Sequence, residues 1–213
     1  MGGASGGYTT IAARVETELE IDRSRFICVL ERVDSEAAAR AAIARVRAAH
    51  PRARHHCTAF LIGPRGELAR SNDDGEPSGT AGLPMLEALR GAGLSDVVAI
   101  VTRYFGGVLL GTGGLVRAYS ASVQESAAAA ARVGRSLRVA VSVDVDYDLG
   151  PGLEAELRRL GHPPVHVEYG TGMRIDLAAA PDRVDDLVAR VAALTSGRAR
   201  TQQTGSAWAD DPA

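Results

Sequence analysis

A chain of 213 residues with 46% apolar composition can bury one sizeable core, and length alone leaves one or two domains open. It contains no run of about 18 uninterrupted apolar residues, and Met1 to Thr10 is Gly-rich without a basic or apolar leader region or a lipidation signal, so a cytoplasmic protein with no membrane partner is expected. The formal charge of −2 hides 17 Arg against 14 acids over residues 1–140 and 7 Arg against 12 acids thereafter; all 24 cations are Arg, which excludes lysine chemistry, and Cys28 and Cys57 are too few for a disulfide framework.

In chain order, Thr10 to Asp22 and Ser24 to Val33 are rich in β-branched or alternating residues and predict a hairpin turning at Asp22 and Arg23. Ser35 to His50 repeats Ala38, Ala42, Val46 and Ala49 at helical spacing, with Asp34 or Ser35 as cap and Pro51 as stop. Between Ala37 and Asn72, Arg40, Arg45, Arg47, Arg52, Arg54, Arg65 and Arg70 are opposed only by Glu67, which predicts a basic face or, equally, a solvated surface balanced from elsewhere in the fold. His56 to Ile62 and Gly66 to Ser71 read as a second hairpin. Thr80 to Arg90 reads as a helix with Leu83, Leu86 and Leu89 inward, and Val97 to Thr102 as a buried strand. A glycine turn over Gly106 to Gly114 then leads into a helix from Leu115 to Arg132.

A second unit is expected from residue 136 to 205. Val139, Val141, Val143, Val145 and Tyr147 alternate along a strand, followed by a helix at Pro151 to Leu160, strands at Val165 to Tyr169 and Met173 to Leu177, a helix at Asp182 to Leu194 and a strand at Arg198 to Thr204. The order βαββαβ predicts an antiparallel, ferredoxin-like sheet covered on one face by two helices, with residues 206–213, Trp208 included, as a disordered tail. The whole is an α+β protein with an N-terminal unit over residues 1–135.

Two stretches carry candidate chemistry. The loop Asn72 to Thr80 gathers Asp73, Asp74, Glu76, Ser78 and Thr80, which suits a hard cation such as Mg²⁺ or, alternatively, turn and cap chemistry. Arg103, Tyr104, Gly106, Gly107, Gly111, Gly113, Gly114 and Arg117 bracket a helix start, where free N–H groups and the positive dipole end attract anions and glycines admit a phosphate; the alternative is a tight crossover. The run matches neither nucleotide loop signature. Tyr104 and Phe105 beside Arg103 could stack bases or simply pack. His55 and His56, adjacent on a strand, face opposite ways and do not complete a zinc set with Cys57, and nothing marks Cys57 as a nucleophile. No cofactor, metal site or catalytic residue is expected.

Four segments in order, Ser24 to Ile27, His55 to Phe60, Asp73 to Gly82, and Val101 to Gly107 continuing through Leu110-Gly111 and Gly113 to Tyr119, resemble the YigZ/IMPACT family, and the resemblance extends over Tyr8 to Thr204. It implies a first domain like the second domain of a small-subunit ribosomal protein and domain IV of elongation factor G, and a second like the ferredoxin-like domains of that factor. Small-molecule kinases share the first fold, so fold alone does not choose between binder and enzyme. Eukaryotic relatives restrain a starvation-activated kinase with an additional N-terminal module, whereas this chain begins at the first hairpin, and that role is not expected to transfer. Leu109 stands where relatives often place Lys, and His56 where Asn is common. The expectation is a non-enzymatic RNA- or ribosome-binding protein associated with regulation of translation; a metal-dependent hydrolase or phosphotransferase built on Asp73, Asp74 and Glu76, and a regulator with a protein partner, are the alternatives. The oligomeric state stays open.

Overall fold

A computed structural model describes residues 7–211 of the chain. They form two compact units that divide between Gly134 and Arg135, each with its own core, in a mixed α+β architecture of two sheets and five α-helices.

The N-terminal unit opens with β1 (Tyr8–Ile11), whose exit is tied by the Ala12 N–H to the Ala131 carbonyl at 2.8 Å. The long strand expected from Thr10 is therefore broken at residues 12–14. Alternation then carries β2 (Val15–Ile21), and the turn at Asp22 and Arg23, both with positive φ, returns the chain as β3 (Ser24–Arg32). The helix α1 (Glu36–Ala49) is capped by Ser35, whose Oγ accepts the Ala38 N–H at 3.2 Å, and buries Ala39, Ala42 and Val46. Two more strands, β4 (His55–Ile62) and β5 (Leu68–Asn72), precede α2 (Gly82–Gly91). Met85, Leu86 and Leu89 face inward there. Leu83, expected inside, is 52% exposed, because the buried stripe passes through Met85 one turn before Leu89. Then follow β6 (Val97–Tyr104) and α3 (Gly111–Ala129), whose first turn takes up Gly111 to Gly114, four residues earlier than expected.

All pairings in this unit's sheet, β2-β3-β6-β4-β5, are antiparallel. One face packs α2 and α3 over Phe26, Cys28, Leu30, Cys57, Ala59 and Val101; the other packs α1 over Val29, Phe60, Val98 and Ile100. Period-two alternation thus sorts each strand between two helical layers. The register sets Phe26 opposite Arg103 and Arg103 opposite His55, a row of motif residues across three strands.

The second unit runs from β7 (Arg132–Val145), which starts before the division, through α4 (Gly150–Arg159), β8 (His166–Tyr169), β9 (Met173–Ala179), a 3₁₀ turn at Pro181–Arg183 and α5 (Val184–Thr195) to β10 (Arg200–Asp210). Among residues 135–211 the strand order is β10-β7-β9-β8, antiparallel throughout, and the same five-stranded sheet also counts β1, paired to β7, the strand that spans the division. Val141, Val143, Ile175 and Leu177 meet Leu153, Leu157, Leu187 and Val191 of the helices. The opposite sheet face is polar, with Arg174 on Asp144 at 2.9 Å and Ser142 on Asp176 at 2.6 Å. The expectation of a disordered tail from residue 206 is corrected: β10 continues to Asp210, and Trp208 stands opposite Leu137. Pro212 and Ala213 lie outside the described residues, as does most of the Gly-rich start. No helix among the described residues is long and apolar enough to cross a membrane.

Candidate functional site

Four of the predicted site residues, His55 of β4, Glu76 of the loop, Arg103 of β6 and Gly111 at the start of α3, line one cleft of ≈ 420 Å³, with Arg54, Pro77 and Phe105 among its other walls; Asp73, Asp74, Ser78, Thr80, Tyr104, Gly106, Gly107, Gly113, Gly114 and Arg117 are not part of its lining. Their roles differ from one residue to the next.

The expectation of Arg103 as a phosphate ligand is corrected. It is only 6% exposed, and its Nη1 donates to Glu76 Oε1 at 2.8 Å. The same carboxylate oxygen accepts the Tyr119 hydroxyl at 2.7 Å. The guanidinium lies between the rings of Phe26 and Phe105, 5.4 and 5.6 Å from their centroids. A buried charge that already has its carboxylate partner is a poor ligand for a second anion, because exchanging partners strands Glu76. Tyr104 is likewise taken: alternation turns it to the opposite sheet face, where its hydroxyl meets His50 Nδ1 at 3.0 Å and Arg25 covers its ring. Phe105, 51% exposed, is the aromatic left facing the cleft.

The carboxylates of the loop do not converge on an ion. Asp73 accepts three backbone N–H groups, from Gly79 at 2.8 Å, Ala81 at 3.0 Å and Gly82 at 2.8 Å. Burial opposes its charge, yet these donors outweigh it and hold its pKa below the usual value. Asp74 accepts the His56 N–H at 2.7 Å and the Arg47 guanidinium at 2.5 Å. Burial works against its charge too, and the Arg47 bond with the His56 N–H overcomes that and lowers its pKa. Glu76 is held by Arg103 and Tyr119. Each carboxylate therefore has a structural duty, and no group of three or more metal-ligating side chains occurs among the described residues. Thr80 donates to the Pro77 carbonyl at 2.6 Å, His55 Nδ1 donates to the Asp74 carbonyl at 2.9 Å, and Ser78 is exposed at the loop tip. Cys57 is buried beneath the cleft with its thiol on the Asp73 carbonyl, and burial pushes its pKa up to about 12, which keeps it protonated and unreactive at neutral pH.

The glycine run serves two purposes. At Gly106 a side chain is impossible, since a Cβ would lie 2.0 Å from the Arg23 carbonyl carbon and oxygen; its N–H goes to Ser24 Oγ at 3.2 Å. Gly107 and Gly111 adopt positive φ, at 87° and 69°, and so let the loop reverse into α3. At the head of α3 the position is otherwise. Leu110 offers no capping side chain and the first turn carries no acid. The N–H groups of Gly111, Thr112 and Gly113, all exposed, meet no acceptor among the described residues. Gly113 borders Arg117, whose Nη1 lies 3.5 Å from where a Cβ of Gly113 would stand, while Gly114 packs on Leu110. Arg117 and Arg54 are not buried and have no carboxylate partner among the described residues.

The expected basic face is largely neutralised. Arg40 pairs with Glu36, Arg45 with Glu31, Arg47 with Asp74 and Arg65 with Glu67, which leaves Arg52, Arg54 and Arg70 without carboxylates among the described residues. Three of those partners lie outside the stretch whose charge is unbalanced along the chain. Sequence reasoning named Arg54 only as one of seven arginines of a basic face and Leu109 only as a departure from the family pattern, and placed neither of them nor Leu110 in this site.

The fold and the site define a two-unit α+β protein with an open cleft where a glycine-rich turn enters a long helix. A family model described as the Impact N-terminal domain matches residues 22–127. The chain is 38% identical over 191 residues to IMPACT family member YvyE of Bacillus subtilis (strain 168), covering 90% of this chain and 88% of that protein. It is 37% identical over 188 residues to IMPACT family member YigZ of Escherichia coli (strain K12), covering 87% and 92%. A solved structure described as a hypothetical protein superposes with a TM-score of 0.66 at 35% identity, over 92% of this chain and 97% of that one. The chain belongs to the IMPACT family.

Proposed function

We propose that this chain is a non-enzymatic, cytoplasmic RNA-binding protein associated with the ribosome or its regulation. The observation that carries the reading is the head of α3, where the N–H groups of Gly111 and Thr112, which meet no acceptor among the described residues, line an open cleft together with Arg54, and Gly113 and Arg117 lie side by side on the same helix end. Free amides at the positive end of a helix and guanidinium groups without counter-charges are what a phosphate backbone needs. A metal-dependent phosphotransferase loses its support because Asp73, Asp74 and Glu76 are each engaged by different protein donors. The link to translation is the one that family resemblance implies, through the likeness of the first unit to ribosomal and elongation-factor domains. The βαββαβ order and the strand order β10-β7-β9-β8 support a ferredoxin-like reading of the second.

Filter binding to single-stranded RNA over a salt series tests the proposal. Affinity is expected to fall linearly on logarithmic axes, and replacing both Arg54 and Arg117 by Ala should flatten the slope by about 1.4, at roughly 0.7 for each phosphate no longer neutralised. Affinity without salt dependence, or none, removes the proposal.

A further inference from the structure

We infer that the cleft recognises an unpaired nucleotide, in a bulge, loop or strand end, and not regular duplex RNA. This rests on the RNA-binding reading and names the ligand that reading leaves open.

The argument starts from the loop between β6 and α3. Its tip, Leu109, is 87% exposed, and Phe105 and Val108 beside it are 51% and 39% exposed. Such a patch costs solubility unless something covers it. The cleft below is apolar as well, lined by Phe105, Leu109, Leu110, Leu115 and Pro77, and its one carboxylate, Glu76, is spent on Arg103 and Tyr119. Phosphate alone gains nothing from such walls.

The rim is cationic at one side: Arg54, exposed and without a carboxylate partner among the described residues, lines the cleft with Gly111 and Thr112 of the α3 head, whose N–H groups meet no acceptor among those residues, while Arg117 lies against Gly113 on the same helix end, outside the lining. An occupant must therefore present an anion and a flat apolar face together within a few ångströms. A paired A-form helix shows phosphates and hydroxyls but keeps its base faces stacked; an unpaired nucleotide offers both at once. Phe105 is suited to the base, because Arg103 already lies against its ring while half of its surface stays open, and stacking tolerates any base. Leu109 acts as the apolar tip that takes the other face of the base or holds the neighbouring step open.

The test compares the full chain on two RNA hairpins of equal length, one fully paired and one with a single-nucleotide bulge, by fluorescence anisotropy at fixed salt. The bulged hairpin is expected to bind about tenfold tighter, the order of one base stacked on protein. Leu109→Ser, a substitution at an exposed position that the core does not use, should bring that ratio close to one, and Phe105→Ala should do likewise. Equal affinity for both hairpins, or a ratio unmoved by Leu109→Ser, overturns the inference while salt-dependent binding leaves the RNA reading standing. Absence of salt-dependent binding to either hairpin removes both. Displacement of the bulged hairpin by polyglutamate as efficiently as by bulged RNA assigns the patch to an acidic polypeptide and also overturns it.

Discussion

At the scale of single residues, the network of Arg103, Glu76 and Tyr119 decides what the cleft can do. Among the described residues Glu76 is the carboxylate that meets Arg103, and the arrangement ties the loop to β6 and α3. Removing one member of a buried pair leaves the other charged and unsolvated, at about 3–5 kcal/mol. Glu76→Ala should therefore lower the urea unfolding free energy by that amount. The double replacement Glu76→Leu with Arg103→Met should cost far less, because no lone charge remains. A loss for Glu76→Ala under about 1 kcal/mol, the range of exposed pairs, would show that the pair is solvated and that Arg103 is free to bind anions. Arg103 was legible as a motif residue; its duty was not, because the sequence places Glu76 twenty-seven positions away and says nothing about its rotamer.

Among the elements, the loop from Asn72 to Thr80 shows how the same residue types suit two chemistries. Its acids read as a cation site or as turn chemistry, and the hydrogen bonds favour turn chemistry, with Asp73 bracing the entry to α2 through Gly79, Ala81 and Gly82. A pH dependence follows. Asp73 and Asp74 have folded pKa values below the ordinary 3.8, so their contribution is fully present above about pH 4 and is lost as pH falls through the lowered values, when the unfolded chain binds the protons first. Unfolding free energy measured from about pH 5 to pH 2 should drop steeply for the wild type. Asp73→Asn should start lower at the upper end of that range and show a shallower acid limb; identical limbs would mean that Asp73 contributes nothing to the slope. At the head of α3 the outcome was the reverse. Glycines that could have been pure crossover residues divide their work, with Gly106 demanded by the Arg23 backbone and Gly111 and Gly113 leaving amides exposed.

For the whole molecule, two cores mean that two sets of packing interactions can be perturbed separately. Leu157 is fully buried in the second unit, among the side chains of α5 and the sheet, and Leu157→Ala removes buried methyl groups there at about 2–5 kcal/mol. Calorimetry should show a transition shifted down in temperature, and on the proposed RNA-binding reading affinity at a temperature where the variant is folded should be unchanged; a loss of affinity there would count against a site confined to the N-terminal unit. The sequence by itself determined the succession of strands and helices apart from the break between β1 and β2, the βαββαβ order of the second unit, and which four segments carry the family resemblance, because periodicity, caps and breakers are local properties that neighbouring residues settle between themselves. Local pattern failed at the C-terminal end: Trp208 and β10 beyond Thr204 carry no strong strand signal of their own, and pairing with Arg135 to Ala140 of β7, with the Arg135 guanidinium on Asp210 and the Trp208 carbonyl, orders them. Which arginines are left without a carboxylate partner among the described residues was decided by tertiary structure alone. Ion pairing reaches across the fold, from Arg45 to Glu31 and from Arg47 to Asp74, and a charge count along the chain has no access to distances in space.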